Sequence, residues 1–75
     1  MHIGQAIKEE LDRQDRTVVW FAKELSYTRT NIYKIFEKSS IDTELLYRIS
    51  IILKLDFFKL YSNRIHENEI MSPFC

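Results

Sequence analysis

The sequence predicts an all-α fold, a compact five-helix bundle, and three observations point to it. One Gly and one Pro among 75 residues leave too little turn chemistry for hairpins, so helices joined by short polar connections are expected. Apolar side chains recur at three- and four-residue spacing along most of the chain. Thr17 and Thr28 each stand just ahead of such a run, where a helix N-cap is wanted. An apolar share of 45% is too high for a disordered segment, and one domain of this length buries about two-thirds of its unfolded surface. The stability margin of such a domain is small.

The first helix is expected from Ile3 to about Gln14, with Ile3, Ile7 and Leu11 on one side and Lys8, Glu9, Asp12 and Arg13 on the other. The polar run Asp15-Arg16-Thr17 ends it. Thr17 then caps a second helix whose apolar face is Val18, Phe21, Ala22 and Leu25, widened by Val19 and Trp20. Ala22 is small among large neighbours, which lets a following helix cross closely. Leu25-Ser26-Tyr27-Thr28 is a tight connection, and Thr28 caps a third helix. Spacing puts Ile32, Ile35 and Phe36 on its core side and leaves Arg29, Thr30, Tyr33 and Lys34 outward.

A fourth helix, from about Asp42 to Leu55, carries the stripe Leu46, Ile49 and Leu53, broadened by Leu45, Ile51, Ile52 and Leu55. Apolar residues over so much of its circumference fit either an enclosed central helix or a dimer face. The domain is expected to cover residues 1–61, with Leu55 to Tyr61 assigned to a fifth helix by the family resemblance given below. Residues 62–75 read as a C-terminal tail, either disordered or docking Ile70, Met71 and Phe74 on a second subunit.

Two helices joined by three or four residues, the second of them capped, make a helix-turn-helix arrangement. Thr17 to Lys38, reading Thr-Val-Val-Trp-Phe-Ala-Lys-Glu-Leu-Ser-Tyr-Thr-Arg-Thr-Asn-Ile-Tyr-Lys-Ile-Phe-Glu-Lys, resembles the core of the Cro/phage-repressor (Xre-type) DNA-binding family. Ala22, Leu25, Tyr27, Ile32 and Ile35 stand where that family wants one small and four apolar residues. The resemblance continues through Asp42 to Ile49 and Leu55 to Tyr61, so it spans about residues 3 to 61. Ser26 replaces the family's usual turn Gly, and a non-Gly residue in the left-handed conformation costs on the order of 1 kcal/mol. Val18 replaces a phosphate-holding Gln, and Glu37-Lys38-Ser39-Ser40 lacks the usual Gly after the third helix.

The resemblance implies a lambda-repressor-like domain that binds double-stranded DNA as a homodimer, with helix 28–37 in the major groove, and that regulates transcription as a repressor. It places Arg29, Thr30 and Lys34 against bases and Tyr33 and Asn31 nearer the DNA backbone. A guanidinium bonds O6 and N7 of guanine together, so Arg29 is the strongest reader; Thr30 suits a thymine methyl, and Lys34 suits guanine or a phosphate. Thr17, Thr28 and Lys38 complete the expected backbone contacts, because helix N-termini attract anions. Tyr33 has an equal claim to packing beside Tyr27 or Phe36, and Trp20 reads as a half-buried anchor.

Charge distribution agrees only locally. Eleven basic and eleven acidic side chains cancel, yet residues 28–40 hold Arg29, Lys34 and Lys38 against Glu37 alone. Neutrality and Val18 favour the competing class, a protein-interaction module that keeps the same fold, and an antitoxin that combines DNA binding with toxin neutralisation through the tail is a third reading. No enzymatic activity and no cofactor are expected: the chain lacks a glycine-rich phosphate loop, and Glu9 and Glu10 are adjacent and point different ways from a helix. Cys75, His2 and His66 are not spaced as a metal site. No run approaches the roughly 20 apolar residues of a membrane span, and no signal peptide is recognisable, so a cytoplasmic protein is expected.

Overall fold

The computed structural model describes residues 2–69, which form α1 (Ile3–Arg13), α2 (Val18–Leu25), α3 (Arg29–Phe36), α4 (Thr43–Leu53) and α5 (Phe58–Glu69), with no strand among them. The first four helices begin at a side chain that satisfies an orphan backbone N–H. Thr17, Thr28 and Asp42 accept from the amides of Trp20, Asn31 and Leu45, and His2 does the same for Gln5 through Nδ1.

The core is assembled from one stripe per helix: Ile3, Ile7 and Leu11; Phe21, Ala22 and Leu25; Ile32, Ile35 and Phe36; Leu46, Ile49 and Leu53. Phe57, fully buried just before α5, completes it. At about 25 cal/mol per Å² of apolar surface, each such large side chain contributes roughly 2 kcal/mol by leaving water. Residues α3 needs for seating are thus the same ones that hold the molecule together.

Helix α1 reaches α3 end to end. The amides of Ile3 and Gly4 donate to the carbonyls of Ser39 and Lys38 at 3.1 and 2.9 Å, so donors at the start of α1 are satisfied by the chain leaving α3. Gly4 makes this approach possible, because a Cβ there would lie 2.3 Å from the Ile35 carbonyl oxygen. Between α1 and α4, Gln14 Nε2 bridges Glu10 at 2.6 Å and the Leu53 carbonyl at 2.8 Å.

Three helix ends are closed by non-glycine residues in the left-handed region: Asp15 after α1, Ser26 after α2 and Lys54 after α4. Ser26 therefore adopts the backbone expected where a Gly was missing.

The fourth and fifth helices depart from the expected boundaries. Lys54 turns left-handed and stops α4 two residues early, and Asp56 accepts from the Phe58 amide at 3.0 Å, which moves the start of α5 to Phe58. Residue 61, the expected end of the domain, falls inside α5, which continues to Glu69. Polarity had suggested a tail there, but residues 62–69 contain no Gly or Pro to stop a helix. Ile70, Met71, Phe74 and Cys75, with their expected disorder or docking, lie outside the described residues.

Candidate nucleic-acid interface

Helix α3 is two-sided. Ile32, Ile35 and Phe36 are 0%, 3% and 9% exposed, while Arg29, Thr30, Asn31, Tyr33 and Lys34 all face solvent. At 100° per residue, the exposed side chains of α3 span an arc of about 200°. Arg29 lies at one border beside Phe36, Thr30 near the middle, and Asn31 at the other border beside Ile35.

The turn ahead of α3 is held from both sides. Schellman-type bonds run from the Ser26 amide to the Lys23 carbonyl at 3.1 Å and from the Tyr27 amide to the Ala22 carbonyl at 2.8 Å. From α4, Arg48 Nη2 donates to the Leu25 carbonyl at 3.0 Å, and its guanidinium lies 6.0 Å from the centre of the Tyr27 ring. Arg48 thereby ties the end of α2 and the turn that follows it to α4. It went unnoticed in the sequence because its partner is 23 residues away and is a backbone group.

Of the expected contact residues, Asn31, Lys34 and Lys38 come together along one cleft between α3 and the start of α4, lined also by Tyr27, Asp42 and Leu45. Lys34 thus sits with residues expected at the DNA backbone, whereas Arg29 and Thr30 occupy the first turn of α3. Thr28 and Thr17 use their hydroxyl oxygens as caps, at 3.2 Å from the Asn31 amide and 3.0 Å from the Trp20 amide. Each hydroxyl proton remains a donor. Thr17 belongs to α2, and no described hydrogen bond ties it to α3.

Tyr33 packs edge-on against Phe36, with ring centroids 6.1 Å apart and planes at 77°, yet stays 55% exposed. Half the ring braces the helix and half is presented outward. Trp20 is half-buried under the Arg16 guanidinium at 4.5 Å.

Electrostatically the face is open. Among the described residues Arg13 pairs with Glu10 on α1, and no described ion pair involves Arg29, Lys34 or Lys38. Two acids lie close in position. Asp42 lines the cleft with its Oδ1 engaged as the α4 cap at 2.7 Å, and exposed Glu37 falls near the middle of the α3 arc, one turn from Tyr33 and Lys34. Glu37 was not among the sequence candidates; its helical angle, close to that of Thr30, was the available signal.

Among the described residues no group of three or more His, Cys, Asp and Glu could hold a metal ion, and no helix is long and apolar enough to cross a membrane. Searched against family models, curated proteins and solved structures, the chain matches none of them.

Proposed function

We propose that α2, the Ser26–Thr28 turn and α3 form a helix-turn-helix that binds double-stranded DNA in the major groove, as a homodimeric transcriptional repressor of the Xre type. The observation that carries this reading is the two-sided α3: three apolar residues seat it, and a solvent-facing arc presents Arg29, Thr30 and Lys34 with no described ion pair. Arg29 and Thr30 project from the first turn and read base edges. Lys34, Asn31 and Lys38 flank the adjoining strand, with Lys34 able to serve either a guanine or a phosphate. Thr17, Thr28 and the Tyr33 hydroxyl donate to phosphates. Occupying an operator blocks polymerase without a catalytic step.

Selection of bound duplexes from a random pool, followed by a salt titration on the winner, tests this. Arg29→Ala is expected to weaken binding by about 1–3 kcal/mol and to relax preference at one base pair. Lys38→Ala should weaken all sequences alike and lower the salt slope by about 1. A pool that yields no enriched sequence, or a binding constant indifferent to salt, would overturn the reading.

One observation favours the second class, a protein-interaction module or antitoxin. Tyr47 and Ile51, both large and apolar, stand 55% and 61% exposed on α4. A chain that enriches no duplex while its Tyr47/Ile51 face binds another protein would belong to that class.

A further inference from the structure

We infer that Glu37 is a specificity-determining residue of the α3 face, its carboxylate accepting a hydrogen bond from the N4 amino group of a cytosine in the major groove. The inference rests on the proposed binding of double-stranded DNA through α3. It adds a role for the one acidic side chain among residues 28–37 and the base which that side chain selects.

The backbone sets the direction of Glu37. It closes α3 at φ −83° and ψ −12°, still in the right-handed helical region, and its amide donates to the Lys34 carbonyl at 3.2 Å. The count of about 100° per residue therefore extends to it. Seven residues on from Thr30, the exposed Glu37 returns to within about 20° of the same angle, between Tyr33 and Lys34. Along the axis it lies about 10 Å beyond Thr30, at a rise of about 1.5 Å per residue. A helix that presents Thr30 to a base edge thus also presents Glu37 to the groove, about three base pairs further on at about 3.4 Å per pair.

No described contact inside the chain accounts for an acid at this position. Among the described residues no ion pair and no side-chain hydrogen bond involves Glu37, and it is not one of the residues lining the cleft that gathers Asn31, Lys34 and Lys38. A negative charge at a helix C-terminus opposes the helix dipole, so Glu37 weakens the helix it closes. On a face turned toward DNA the same charge opposes the phosphates. A side chain that lowers both helix stability and general attraction for DNA suits discrimination between sequences, where a penalty against wrong partners is useful.

The chemistry of the base edges selects the base. An ionised carboxylate only accepts hydrogen bonds. In the major groove guanine and thymine offer acceptors without a donor, adenine sets its N7 acceptor beside the N6 amino group, and cytosine offers the N4 amino group with no acceptor. Cytosine is therefore the base whose edge a carboxylate meets without repulsion from that edge. Against any other base the carboxylate loses water and faces an acceptor, with no full hydrogen-bond return to offset its repulsion from the phosphates.

Selection of duplexes from a random pool by the full native chain, by Glu37→Ala and by Glu37→Gln tests the proposal. Both changes remove the unfavourable charge from the end of α3, so both variants are expected to fold. The native chain should select a C·G pair about three base pairs from the position that Arg29→Ala relaxes. Changing that pair to T·A should weaken native binding about tenfold or more, whereas Glu37→Ala should bind the two duplexes within about twofold of each other. On a duplex of scrambled sequence at low salt, Glu37→Gln should bind severalfold more tightly than the native chain. A Glu37-dependent position that selects an A·T pair, one that coincides with the Arg29 position, or scrambled-duplex binding that does not tighten in Glu37→Gln would each overturn the proposal. A native site enriched at every position alike by Glu37→Ala overturns it while leaving the DNA-binding reading of α3 standing. A native chain that enriches no duplex overturns both.

Discussion

A methyl group on Gly4 would meet the Ile35 and Phe36 carbonyl oxygens at 2.3 and 2.4 Å, and neither belongs to a movable side chain. Relief requires α1 to back away from α3, which strains the amide bonds of Ile3 and Gly4 to Ser39 and Lys38. Gly4→Ala is therefore expected to destabilise the fold by about 2 kcal/mol, although Ala is the better helix former by nearly 1 kcal/mol, and a lowered urea midpoint would register it. Glu10 makes a second residue-level case. It is 8% exposed and accepts bonds from Arg13 Nε at 2.9 Å, from Arg13 Nη2, and from Gln14 Nε2 at 2.6 Å. The Arg13 hydrogen bond above all, with help from Gln14 and against the pull of burial, holds its carboxyl below the ordinary glutamate range. A folded-state value below the unfolded one adds stability that is complete above the unfolded value and is lost as pH falls through the folded one. Unfolding midpoints should thus decline on acidification below about pH 4.3, and Glu10→Gln should flatten that decline.

Between helices, the chain economises on glycine. Asp15, Ser26 and Lys54 each accept a positive φ of 55–60° to close a helix, a conformation that L side chains tolerate poorly. Ser26 is the one that matters for α3, because it sets the turn from α2 into α3. Ser26→Gly is expected to stabilise the domain by about 1 kcal/mol and raise its melting temperature, with the Ala22 and Lys23 carbonyl bonds retained. Loss of stability on this change would show that the Ser26 side chain supports the turn in some further way. The same elements explain why boundaries after Ile51 were hard to place. A Lys that turns left-handed carries no mark in the sequence, and a polar stretch free of Gly and Pro reads equally as tail or as exposed helix.

At the scale of the molecule, four of the helices were legible because each buries one stripe and three announce their starts with Thr or Asp. The all-α class and the division of α3 into a seated side and an open side follow from that periodicity. They are local properties, set by 3.6 residues per turn and by caps three residues away. Tertiary structure alone decided what depends on long-range approach. Gly4 against the end of α3, Arg48 on the Leu25 carbonyl and Gln14 on the Leu53 carbonyl join residues 23 to 39 positions apart or pack backbone on backbone, and no pattern in one sequence encodes such partners. It also decided which apolar residues the core has room for. Ile49 and Ile51 look alike along the chain, yet one is fully buried and the other 61% exposed, because α2 and the start of α5 cover one side of α4 and leave the other to water.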